Sequence, residues 1–384
     1  MVLVLSRRLS LADNKNQHFV PRVHLKPFTV DGAGKAVHLF NFAADRAIRD
    51  APLKNQCSRD YFYGQDSRLE AAIQSVEGAY ATAVGRLTGS EAAPSDVDQM
   101  ALRRFILLQY LRTEAASERT ARFAAAVAAT PGALQDGGAF DMKAAMREAV
   151  QQAMLYYARS MHVVDDLAVT LVRNRTSTPF LTSDDPAVLT NRWHLQNPRA
   201  RGLSYGLRSA GLVMLLPLSP NALVMLHDAG TYSVPHHRRV TVLERVNDVL
   251  ALNEHQVLNS VANIYFGDWA RRDQVAAEIR SASARRPPSR HRVTYAVKGA
   301  EAAAEAGTHV RYAVRPLGDI VPEPGDEVLI HTETIRPSPS QWPSILNYRR
   351  GGRLYSNGTR TGYVRRWALE AGFASGEGYR RVTV

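Results

Sequence analysis

Residues 178–188, Thr-Pro-Phe-Leu-Thr-Ser-Asp-Asp-Pro-Ala-Val, constrain the fold more than any other stretch of this chain. The run Leu167–Val172, rich in β-branched residues, precedes them and reads as a strand. Pro179 and Pro186 bracket a polar turn and hold the residues before them in extended or turn geometry. Ser183, Asp184 and Asp185 are residues that bond nearby backbone amides. One reading is a tight strand–turn–strand connection. The other places a carboxylate of Asp184 or Asp185 in a pocket at the strand end, where loops carry function. Two adjacent aspartates without a glycine-rich calcium loop are a weak metal signal.

Helical spacing dominates the chain before this stretch. Leu69, Ile73, Val76, Tyr80, Val84 and Leu87 predict an amphipathic helix over 68–88. Glu70, Gln74 and Glu77 form a second stripe beside the apolar one, either a solvated face or, at Glu77, a group that looks into the domain. Ser95 is a cap for a second helix, expected to run to about Ala128. Its face Leu102, Phe105, Gln109, Arg112 carries Gln109 and Arg112 onto the side that Phe105 buries. A buried guanidinium needs an anion. Asp184, Asp185, Glu77 or a ligand carboxylate or phosphate are the candidates. A third helix is expected from about Asp141 to Met161, after breaks at Thr130-Pro131-Gly132 and Asp136-Gly137-Gly138.

Strands are expected at Val37–Phe42, over the block 162–232, and in Leu212–Leu226, which reads as two buried strands joined through Pro217–Asn221. Residues 240–266 read as a return to helix, with Asn247, Asn253 and Asn263 interrupting an apolar pattern; such amides bond backbone or orient a ligand. Ser281–Ser289, with Pro287 and Pro288, marks a boundary. The expected organisation is a main α+β domain over 16–280, a linker over 281–291 and a small basic β-rich module over 292–384. The fold class is α+β, a helix-rich N-terminal half packed on a mixed or antiparallel sheet.

The segments Gln17-His18-Phe19-Val20-Pro21 and Leu25-Lys26-Pro27-Phe28 resemble the opening signature of a bacterial family known as domain of unknown function 4238. Glu70 and Glu77, Gln109–Thr113, Phe180–Pro186 and Pro217–Pro220 are similar to later pieces of that family, so the resemblance covers roughly residues 16–270. His24 stands where the family's pattern has an aromatic residue. The resemblance implies that these pieces belong to one domain and implies no activity.

Charge bounds the partners. The formal net charge is +12 and the pI about 9.9. Such a field favours encounter with nucleic acid or another polyanion. Tyr348, Tyr355, Tyr363, Trp367 and Tyr379 lie among arginines, a mixture that suits either base stacking or an ordinary β-rich surface. Cys57 is the only cysteine, which rules out an intrachain disulfide and fits a reducing cytoplasm. Met1–Leu5 is too short for a signal sequence before Arg7 and Arg8, within an arm expected over 1–15, and no run of about 18 apolar residues is present to span a membrane.

No phosphate loop, dinucleotide fingerprint, nucleophile elbow or His-Glu-x-x-His motif is present. Any reaction must be assembled from dispersed residues. His18, Glu77 and Asp184 are the candidate catalytic groups; Gln109, Arg112, Thr182, Ser183, Asn247 and Asn253 are the candidate binding groups. One expectation is a nucleic-acid-directed hydrolase, a metal-dependent phosphodiesterase in which the acids hold a divalent cation, His18 moves a proton and Arg112 grips a phosphate. The alternative is a non-enzymatic domain that binds a small anionic ligand or a partner protein through Arg112 and the Thr182–Asp184 turn.

Overall fold

A computed structural model describes residues 16–64, 66–128, 140–200, 204–298, 312–316, 328–356, 362–372 and 379–384. The arm expected over 1–15 and the breaks expected at 130–132 and 136–138 lie outside the described residues. The chain is α+β. It begins with β1 (Asn16–His18), α1 (Arg22–Leu25), β2 (Ala36–Asn41), β3 (Arg46–Pro52) and β4 (Ser58–Asp60). The long helices α2 (Ser67–Thr88), α3 (Asp96–Arg112), α4 (Glu114–Ala128) and α5 (Met142–Ser160) follow. Then come β5 (Ala168–Asn174), β6 (Thr182–Ser183), β7 (Val188–Thr190), α6 (Arg192–Gln196), β8 (Val213–Ser219), β9 (Ala222–His227), β10 (Tyr232–Ser233) and β11 (Val240–Leu243). Helix α7 (Val246–Asn259), β12 (Asn263–Phe266) and α8 (Arg272–Ser283) precede β13 (His291–Lys298).

Helix starts obey capping chemistry. Asp66 accepts from the Arg68 amide, Ser95 and Asp98 form a capping box, and Asp141 accepts from the amides of Lys143 and Ala144. The second helix does not run unbroken to Ala128. Thr113 is extended (φ −69°, ψ 158°), its hydroxyl accepts from the Ala116 amide and donates to Asp185 at 2.8 Å. A cap plus a tertiary bond therefore ends α3 and starts α4.

Two sheets organise the molecule. The five-stranded sheet has the order β11-β5-β9-β8-β7; β11 lies parallel to β5 and the remaining pairs are antiparallel. The four-stranded antiparallel sheet has the order β3-β2-β12-β6. The polar turn at 178–188 is thus not a hairpin: β6 closes one sheet and β7 opens the edge of the other. Residues 240–266 are helical only over α7, with a strand on either side.

Strand alternation sorts the five-stranded sheet's side chains onto two cores. Met214, Leu216, Val169 and Leu171 meet Tyr80, Val84, Leu102 and Phe105 of the helical layer. Val213, Leu215, Val172 and Met225 meet Trp193, Leu252, Leu346 and Leu354. Leu346 and Leu354 come from the segment expected to form a separate module, which supplies part of this second core. Arg365, from the same segment, is buried and pairs with Asp166 at 2.8 Å.

Candidate functional site

A cavity of about 460 Å³ opens between the N-terminal segment and the polar stripe of α2. His18, Arg22, Lys54, Tyr63, Glu70 and Glu77 are among its lining residues. The backbone around His18 is fixed from several sides. Gln17 accepts from the Tyr63 amide at 2.7 Å and donates to the Gly64 carbonyl at 3.0 Å. Tyr63 donates its hydroxyl to the His18 carbonyl at 3.1 Å, and Gln109 donates to the Phe19 carbonyl at 2.8 Å.

Gln109 carries the chain of bonds inward. Its side-chain oxygen accepts from Nε and Nη2 of Arg112, each at 3.0 Å, and Arg112 Nη1 donates to Glu77 at 2.6 Å. Arg112 is fully buried, and Glu77, 23% exposed, is its counter-ion. The anion demanded by Arg112 is therefore Glu77, at the edge of the α2 stripe, and neither Asp184 nor Asp185 fills that place. The pair holds a negative oxygen at the cavity wall and a positive charge behind it.

His18 is the cavity's incomplete group. Burial, reinforced by the charges of Arg22 and Arg112 and opposed by a hydrogen bond with the Lys54 backbone, depresses its pKa, so the ring is neutral near pH 7. Its Nε2 is sealed from solvent and has no hydrogen-bond partner among the described residues. An unpaired buried ring nitrogen costs about 1–3 kcal/mol. Arg22 and Lys54, both exposed, have no ion-pair partner among the described residues.

The other candidates lie elsewhere. Asp184 accepts from the amides of Val261, Ala262 and Asn263 at 2.9, 2.6 and 3.1 Å, tying the turn to the end of α7. Burial pushes its carboxyl up to about 6, against the pull of those amides. Asp185 accepts from Thr113 and pairs with Arg119 at 3.2 Å. Ser183 donates to Gln256 at 2.9 Å, and Asn253 bridges the Leu181 amide and the Pro179 carbonyl. Asn247 is exposed at the start of α7. Of the candidate residues, then, His18, Glu77, Gln109 and Arg112 converge, while Asp184, Ser183, Asn247 and Asn253 do not join them.

Thr182 connects the two regions. Its hydroxyl shares a hydrogen bond with His24 Nε2 at 3.0 Å, and His24 Nδ1 shares one with the Tyr80 hydroxyl at 2.8 Å. His24 lies among Phe28, Tyr80 and Phe105, an aromatic position filled by an imidazole. Complete burial, with Arg112 nearby, lowers its pKa to about 3. Arg22, Lys54, Gln17 and Tyr63 were not singled out by sequence reasoning; adjacency to His18 in the Gln17–Arg22 stretch was the available signal. Among the described residues, no group of three or more His, Cys, Asp or Glu is arranged to hold a metal ion. No described helix is long and apolar enough to cross a membrane.

A family model described as "Protein of unknown function (DUF4238)" matches residues 16–269, and the chain belongs to that family. The match spans both the cavity and the polar turn. No curated protein and no solved structure matches the chain.

Proposed function

We propose that this member of the family uses the N-terminal cavity to bind a small ligand that carries an anionic group. Arg22 and Lys54 face the anion, and His18 Nε2 and the Glu77 carboxylate address the ligand's polar hydrogens or hydroxyls. The observation that carries the reading is the buried, unpartnered His18 Nε2 on the wall of an open cavity, beside an ion pair already set by the fold. A neutral imidazole and a carboxylate that line one cavity are also groups used for proton transfer, so the same site is equipped for acid–base chemistry on that ligand.

The proposal keeps the ligand class of the second sequence reading, a small anion, and moves its recognition from Arg112 and the Thr182–Asp184 turn to Arg22, Lys54 and His18. The first, a metal-dependent phosphodiesterase, draws less support, because Asp184 is committed to three backbone amides and Asp185 to Thr113 and Arg119. A nucleic-acid partner keeps one argument, the net charge of +12. It calls for binding that weakens steeply with salt. The single cysteine, a buried free thiol, supports a cytoplasmic setting.

The test is a thermal-shift screen of small carboxylates and phosphate esters, repeated on Arg22→Ala and His18→Gln. A ligand that stabilises the wild type should lose at least about tenfold in affinity in each variant, as expected for removal of a charge-assisted or buried hydrogen bond. Ligand-induced stabilisation equal in all three proteins would refute the site.

A further inference from the structure

A second cavity, of about 230 Å³, lies between α4 and the segment 286–290 that follows α8. Arg119, Arg122, Arg286 and Arg290 line it. A small inner chamber of about 20 Å³ shares Arg119 and Arg290 as walls and adds Arg336 and His255. Five guanidiniums thus line two spaces that share walls at Arg119 and Arg290. Among the described residues, the acids within bonding distance are Asp185, on Arg119 at 3.2 Å, and Glu118, on Arg122 at 2.5 Å.

The remaining arginines are held by neutral groups among the described residues. Arg286 donates to the carbonyls of Ser260 and Val261 and stacks on Phe42 at 3.9 Å from the ring centre. Arg290 donates to the carbonyls of Leu258 and Ser260. Arg336 donates to the Tyr110 hydroxyl at 2.9 Å. The carbonyls at 258–261 are the C-terminal end of α7, and a helix C-terminus carries only about half a negative charge. That offsets about half the charge of one guanidinium and leaves a positive surplus. Burial and the facing charges of Arg119, Arg286 and Arg336 bring Arg290 down to about 10, opposed by Asp185, which fits their close approach.

Two buried nitrogens on the inner chamber's walls point the same way: a guanidinium Nε–H, and an imidazole Nε2 that donates in its Nε2–H tautomer. Nε of Arg336 and Nε2 of His255, a residue 3% exposed, are sealed from solvent without partners among the described residues. We propose that this arginine-lined cavity is a binding site for a phosphate group, free or as a phosphomonoester, with Arg119, Arg122, Arg286 and Arg290 as its ligands. Planar guanidiniums grip a tetrahedral oxyanion through paired N–H donors. The cavity is distinct from the one beside His18 and shares no lining residue with it.

Titration of the full chain with inorganic phosphate, read by calorimetry and thermal shift against chloride at matched ionic strength, tests the proposal. Saturable stabilisation by phosphate is expected. Affinity should fall about tenfold in Arg290→Gln and about fivefold in Arg122→Ala, and should be unchanged in Lys143→Ala, an exposed residue that lines neither cavity, since each lost charged contact acts locally. Should Arg290→Gln fail to fold, Arg122→Ala, altered on an exposed side chain, carries the result. The proposal is overturned by the absence of a saturable phosphate effect over chloride. It is equally overturned by a phosphate effect that is undiminished in Arg122→Ala.

Discussion

The N-terminal cavity and the turn at 182–186 are equally rich in polar side chains and differ in what those side chains touch. In the turn, Thr182, Ser183, Asp184 and Asp185 each meet protein partners, and Asp184 meets three amides. Every bond is closed within the fold, so the turn works as a joint between the two sheets. In the cavity, the inner half is closed in the same way, through Gln109, Arg112 and Glu77. The outer half is not closed in this way: His18 Nε2 lacks a partner among the described residues, and Arg22 and Lys54 face solvent. Polar density alone does not separate a joint from a site; unfilled bonds next to open volume do.

Substitutions break this comparison in order of expected size. Arg112→Ala leaves Glu77 uncompensated and should cost about 3–5 kcal/mol in denaturant unfolding. Asp184→Ala strips the acceptor from three amides and should cost roughly 3 kcal/mol. If Asp184→Ala instead leaves stability intact and removes ligand binding, the turn is a site and the contrast collapses.

Acid should act through the link between the regions. The folded pKa of His24, about 3, lies below the unfolded value near 6.5, so the unfolded chain takes up the proton first. The stabilisation is complete above about pH 6.5 and is lost as pH falls towards 3, by about 1.4 kcal/mol per unit for this one group. His24→Phe keeps the aromatic packing and should flatten that acid limb measurably. An unchanged pH–stability profile would mean that His24 has the same pKa in the folded and unfolded chains. The smallest stability effects belong to the outer cavity: Arg22→Ala should leave the unfolding midpoint unchanged, because its side chain is exposed and unpaired among the described residues.

Local rules made much of the fold legible. Ser95 and Asp141 cap the helices that they precede, because a cap depends on residues two or three positions away. The break at Thr113 was not legible, because the hydroxyl that makes it reaches Asp185 across 72 residues. Arg112 announced its need for an acid through the helical face that it shares with Phe105. The identity of that acid was hidden, since Glu77 sits in a stripe with the spacing of a solvated face. Asp184 looked catalytic for a similar reason: its partners at 261–263 are remote in sequence. Asn247 was read as part of a long helix, whereas α7 starts only at Val246, after β11, and leaves it in solvent.

The most direct measurement is a calorimetric titration of wild type and His18→Gln with whichever small anion stabilises the wild type most. Heat of binding in the wild type, and a dissociation constant at least about tenfold weaker in a His18→Gln chain of unchanged melting temperature, is the expected result. Identical binding by the two proteins would contradict the assignment of the cavity as the ligand site.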